Sequence, residues 1–204
     1  MKKQIILTAL TVFLALAVTI DTHAQNKVWS MGPEAGVSIS KFGMDASTND
    51  AKPGIVAGGF VTYSVVNNFA FTTKFLYYQK GASYAPTDTK QTLRYFEIPI
   101  IARYFLTKQG FFRPNIFLGP SFSLLTGVNQ HVGNRENEVQ NFKDVYNRPD
   151  VGVTTGAGFN FLIAKETYFI LEARYTHGLT DVTKANGNIN NNSVALTAGI
   201  SFGF

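Results

Sequence analysis

The chain has 204 residues, a formal net charge of +5 from 18 Lys and Arg against 13 Asp and Glu, and no cysteine. The missing thiols exclude disulfides, thiol nucleophiles and thiolate metal sites. The basic residues are scattered, with no run beyond Lys2-Lys3, so nothing points to a nucleic-acid surface.

Lys2 and Lys3 precede an apolar run from Ile5 to Ile20, and Thr22-His23-Ala24 sets small residues three and one positions before Gln25. That order predicts a secretory signal peptide over 1–24, leaving 25–204 as one mature domain. A membrane anchor is the rival reading, but the run falls short of the ~20 apolar residues that span a bilayer. No cysteine follows it, so lipidation there is excluded. Cleavage would remove two lysines and one aspartate, lowering the net charge by one.

Eight alternating segments follow, over 30–41, 54–65, 69–81, 92–106, 111–127, 150–163, 168–180 and 193–204. Each has a period of two, the pattern of a strand with one apolar face. After the even-numbered segments the connections are short: Val66-Asn67-Asn68, 107–110 and 164–167. After the odd-numbered ones they are long and polar: 42–53, 82–91, 128–149 and 181–192. Beyond the signal no stretch is apolar enough for a membrane helix, and only closed barrels span lipid without helices. The short–long rhythm predicts an all-β, eight-stranded antiparallel up-and-down transmembrane barrel with periplasmic turns, extracellular loops and both ends periplasmic.

Parity assigns the outward face. Phe69, Phe71, Thr73, Phe75 and Tyr77 share one side, as do Phe96, Ile98, Ile100, Ala102 and Tyr104, and Phe169, Leu171, Ala173 and Tyr175. Tyr63, Phe69, Tyr104, Phe111, Tyr168 and Phe204 fall near the short turns, as an interfacial aromatic girdle requires. A soluble barrel or sandwich is the competing reading. Its narrow interior could not hold so many rings, and it leaves unexplained the glycines at 32, 36, 58, 152, 156, 158, 178, 199 and 203 on the other face. A crowded lumen needs such small residues.

On that inner face stand Glu34, Lys74, Glu97, Arg103, Glu172 and Arg174, with Lys80 set aside near the rim. Three acids and three bases in so narrow a tube are expected to pair across it, because isolated buried charges are costly. The result is a plugged lumen. The alternative is a gated pore or proton path. Arg113 and Asn115 extend the set toward the short turns. Pro99, inward beside Glu97 and unable to donate to the ladder, predicts a bulge or a freed carbonyl.

An enzyme of this architecture, such as a lipid-modifying hydrolase, would need Ser, His and an acid near the outer rim. The mature chain offers His131 in the longest loop and His177 with outward parity. Neither spacing supports a triad, and two separated histidines make a poor metal site. No enzyme activity, cofactor or metal is expected. The 128–149 loop carries Phe142, Val145 and Tyr146 among mixed charges, either a docking surface for a protein partner or a mobile extension.

The last residues, Val194-Ala195-Leu196-Thr197-Ala198-Gly199-Ile200-Ser201-Phe202-Gly203-Phe204, resemble the closing strand of bacterial outer-membrane barrels. That resemblance makes Phe202 and Phe204 an assembly signal for the barrel-assembly machinery. Leu93-Arg94-Tyr95-Phe96-Glu97-Ile98-Pro99-Ile100-Ile101-Ala102-Arg103-Tyr104 resembles the L-x-Y-L-E-I-P-L-L-x-K-Y segment of the PorT-like outer-membrane β-barrel family. Glu172-Ala173-Arg174-Tyr175-Thr176-His177-Gly178-Leu179-Thr180-Asp181 resembles its R-Y-x-x-G-L-x-(D/N) segment, and Glu34-Ala35-Gly36-Val37-Ser38 its first strand. Arg103 and Phe96 replace the commoner lysine and leucine. The resemblance implies an eight-strand barrel among outer-membrane lipids. Some relatives are linked to protein export, a role that does not transfer to every member. The expected function is structural or partner-binding through the loops. A small ion or solute channel comes second and a lipid-modifying enzyme third.

Overall fold

The computed structural model describes residues 29–43, 50–84, 89–132, 135–138, 147–181 and 190–204. The region 1–28, with the expected signal peptide, lies outside them. The strands are β1 (Trp29–Gly43), β2 (Asp50–Val66), β3 (Phe69–Tyr84), β4 (Thr89–Phe105), β5 (Phe112–Val132), β6 (Arg135–Glu138), β7 (Pro149–Ala164), β8 (Thr167–Gly178) and β9 (Asn190–Gly203). No helix occurs among the described residues.

Eight strands close a ring. Each of β1 to β5 pairs antiparallel with the next, β5 continues to β7, then β8, then β9, and β9 returns to β1. The short β6 pairs only with the outer end of β5. Closure removes the edges that an open sheet would expose to lipid. Strands such as the 16-residue β3 and 21-residue β5 exceed the ~9–11 residues that cross a bilayer, so their loop-side ends stand clear of it.

Those ends account for the main difference from the expected spans. β2, β4 and β9 start four, three and three residues early, at Asp50, Thr89 and Asn190, and β5 runs on to Val132. Above the membrane a ladder needs no apolar face, so alternation fades before pairing does. Part of the expected 128–149 loop is therefore hairpin, with Asn129 opposite Glu138 and Val132 opposite Arg135.

The short turns are tight. Asn67-Asn68 and Lys165-Glu166 are two-residue connections, and Glu166 takes a left-handed φ of 58°. In the 106–111 turn Gly110 has φ 132°, a conformation that favours glycine.

The exterior is apolar. Val37, Phe75, Leu118, Phe159, Leu171 and Leu196 are each 40–57% exposed, a burden no water-facing wall of this size carries. Near the short turns aromatic rings pack tilted, T-shaped and stacked: Trp29 with Tyr63 at 4.8 Å, Phe69 with Phe71 at 5.1 Å and Phe112 with Phe159 at 5.5 Å, in that order. Tyr168 departs from the expected girdle. It shares inward parity with Ile170 and Glu172 and lines the lumen mouth.

Pro99 faces inward, but no bulge forms there. Pairing lapses beside it on both sides while the register stays constant, from Thr73–Ile100 to Leu76–Glu97 and from Pro99–Ser121 to Ala102–Leu118. The bulge of this ladder lies higher. Arg94 opposes Gly127 and Tyr95 opposes Leu125, so Thr126 is the extra residue and its hydroxyl donates to Arg94 O at 2.9 Å. The insertion resets parity, and Leu125 and Val128 both face inward.

Candidate functional site

Inward parity on β1, β3, β4 and β8 delivers long charged side chains into the lumen, where Glu34, Lys74, Glu97, Arg103, Glu172 and Arg174 are all buried. Five of the six form one cluster. Lys74 Nζ donates to Glu34 Oε2 and to Glu172 Oε2, each at 2.6 Å. Arg103 donates through Nη2 to Glu172 Oε1 and through Nη1 to Asn115 Oδ1, both at 2.7 Å. Asn115 Nδ2 donates onward to Asn160 Oδ1 at 3.1 Å. Arg174 Nη2 lies 3.5 Å from Glu34 Oε1, an ion pair without a hydrogen bond. Such a cluster binds elements far apart in sequence, and its members depend on one another, since each removal strands a buried charge.

Glycines make the room. Gly158 lies opposite Glu172, where a Cβ would come within 3.0 Å of Glu172 Cγ and 3.3 Å of Asn115 Oδ1. Gly156 lies opposite Arg174, where a Cβ would stand 2.5 Å from the Phe117 ring.

Glu97 belongs to a second group nearer the loops. Lys80 Nζ sits 2.7 Å from Glu97 Oε2, and Ser123 Oγ donates to the same oxygen at 3.2 Å. The Lys80 ammonium also lies over the rings of Tyr78 and Tyr95, at 4.9 and 5.2 Å. Lys80 is thus a full member of the lumen network, not a rim residue. Asp150, also buried, adds an attractive charge to Lys80 and accepts from Thr180 Oγ1 at 2.7 Å. Four acids and four bases are buried among the described residues, rather than three of each. Inward parity marks Lys80; Asp150 carries a weaker signal, as the first residue of its segment.

Around that second group the lumen is apolar, contrary to a uniformly polar inner face. Val56, Leu76, Tyr78, Leu93, Tyr95, Leu125, Val128 and Ala195 form one buried cluster. Alternation hides these positions because both faces of β3 and β4 are apolar there.

At the short-turn end a cavity of about 670 Å³ opens between the turns and reaches inward to Arg103 and Phe60. Arg113 lies on its wall, with the guanidinium 4.1 Å over Phe105 and Nη2 donating to Asn67 O at 2.8 Å.

His177 is exposed on the outer wall, with Nδ1 2.7 Å from Asn192 Oδ1. The side chains of His131, Phe142, Val145 and Tyr146 lie outside the described residues. Phe202 and Phe204 are exposed at the short-turn end of the closing strand. Among the described residues no group of three or more His, Asp or Glu could hold a metal.

Residues 23–184 match the family model described as the outer membrane protein beta-barrel domain. Among solved structures, Neisserial surface protein A is 17% identical with a TM-score of 0.55, over 86% of this chain and 97% of that one. OprG of Pseudomonas aeruginosa is 13% identical, TM-score 0.52, over 90% and 99%. E. coli outer membrane protein W is 13% identical, TM-score 0.50, over 89% and 100%. At these identities the likeness is one of fold. No curated protein matches.

Proposed function

The chain belongs to the outer membrane protein beta-barrel domain family and is an integral outer-membrane barrel; from that premise we propose that its lumen is plugged and that it works, without enzyme chemistry, as a structural or partner-binding protein through its extracellular loops. One observation carries this reading: Lys74, Leu76, Tyr78, Tyr95, Glu97 and Arg174, drawn from three strands, are each at most 2% exposed inside the wall. Ionic and apolar layers in series leave no continuous wet path for a solute. The described hydrogen bond of His177 runs to Asn192 and not to a serine or threonine hydroxyl, which disfavours a lipid-modifying enzyme.

The same reading includes a signal peptide over 1–24 and periplasmic chain ends, supported by Trp29 and Phe204 lying at the short-turn end. It assigns the chain to the PorT-like branch on its E-I-P segment, carries over no export role, and makes Phe202 and Phe204 the mark for the assembly machinery. Phe142, Val145 and Tyr146 are the proposed contacts for a protein partner.

Planar-bilayer recording tests the plug. Purified protein is expected to give no steady conductance, and the Leu76→Ala, Tyr95→Ala double variant, which opens only the loop-side layer, is expected to stay shut at the ionic one. Steady current from the unaltered protein would overturn the plugged reading. A small gated channel is the second reading, favoured by the cavity that already reaches Arg103.

A further inference from the structure

We propose that the cavity at the short-turn mouth binds a small carboxylate carried on an apolar body. The chemistry of the lining selects that class. With Arg103 balanced by Glu172, Arg113, Lys108 and Lys165 line it against one carboxylate, Glu166, so a cation is repelled and an anion attracted. Phe105, Leu162 and Ile170 supply apolar wall, which a bare inorganic anion would leave wet. Arg113 is preorganised: its guanidinium is stacked on Phe105 at 4.1 Å and lies 6.0 Å from the Tyr168 ring. One arm is fixed by Asn67 O, and the guanidinium keeps further N–H donors on Nη1 and Nη2 beyond that bond. Arg103, tied to Glu172 and Asn115, forms the rigid end wall, with its charge balanced by Glu172. A volume of about 670 Å³ suits a ligand of amino-acid or short acyl size.

Two sources share this chemistry, the carboxyl end of a peptide and the head of a short acyl chain. The site goes beyond the loop-centred role and depends on the orientation assigned above only for the side from which ligand arrives. Nanodiscs leave both mouths open, so binding is read independently of that orientation.

The test reads the heat of binding, because the chain's single tryptophan, Trp29, packs on Tyr63 of the outer wall and does not report on the lumen. By isothermal titration calorimetry, N-acetylphenylalanine, the neutral N-acetylphenylalaninamide, and octanoate are titrated separately into protein in nanodiscs. A saturable heat is expected with one or both carboxylates, identifying the peptide-like or acyl source, and roughly tenfold weaker binding with the amide. Arg113→Gln is expected to weaken carboxylate binding by roughly tenfold, the loss of one charge-assisted hydrogen bond. Lys165→Gln, a change in an exposed turn that leaves the barrel wall intact, is expected to weaken it less. Equal response to acid and amide, no saturation with either acid, or unchanged binding in both variants would overturn the site.

Discussion

The short-turn half of the lumen and the half beneath the long loops are filled by opposite means. Toward the turns, Glu34, Glu172, Lys74, Arg103 and Arg174 hold one another in place, and glycines on facing strands give their long side chains room. Toward the loops, Leu76, Tyr78, Leu93, Tyr95 and Leu125 pack as a soluble core would, around a single tight pair, Lys80 and Glu97. A charge cluster tolerates no loss of a member, because the partner left behind is buried and unneutralised. An apolar layer loses only what a cavity costs.

The sharpest way to break that contrast is Lys74→Met, which removes the ammonium shared by Glu34 and Glu172 and leaves each with a single arginine. It is expected to cost about 3–5 kcal/mol in urea unfolding from lipid vesicles. Adding Glu34→Gln to it is expected to recover part of the loss, and an additive double variant would show that the cluster is not a unit. Leu76→Ala on the same strand is expected to cost about 2–5 kcal/mol by the same measurement, with no recovery when Glu34→Gln is added. Phe75→Arg, one residue away but facing lipid, is expected to cost about 2–4 kcal/mol. A near-neutral result there would place Phe75 outside the hydrocarbon. Ser123→Ala removes one of the two bonds to Glu97 Oε2 and is expected to cost about 1.5 kcal/mol. His177→Ala, on the exposed outer wall, is expected to stay within about 0.5 kcal/mol of the parent.

The architecture was readable because lipid outside and a tight lumen inside impose opposite chemistries on neighbouring residues. Phe75 and Lys74, or Phe96 and Glu97, announce their sides by contrast alone. Where contrast disappears, so does the signal. Tyr77 and Tyr78 point opposite ways yet look alike, so the loop-side apolar layer is invisible to alternation. Lys80 was lost to a different cause: β3 continues to Tyr84, and Leu93 of β4 still stands beside Lys80, so the wall encloses what an earlier strand end would leave at the rim. Thr126 adds one residue where the period of two cannot show it. Tyr168 carried the correct parity, but its height beside the turns suggested the girdle. The cavity drew on turn residues such as Lys108 and Lys165, which have no periodicity to betray a common mouth.

The ring is sewn shut between its first and last strands, with Phe204 N donating to Trp29 O at 2.9 Å. Translation therefore delivers the final stitch last, and any product ending before β9 keeps two raw borders, on β1 and on β8. Such a fragment has no hairpin able to substitute, because β1 and β9 are neighbours only across the whole length of the domain. Truncation before β9 should yield an open sheet with unpaired edges, not a smaller working barrel, which makes completeness of the ring a condition of its stability.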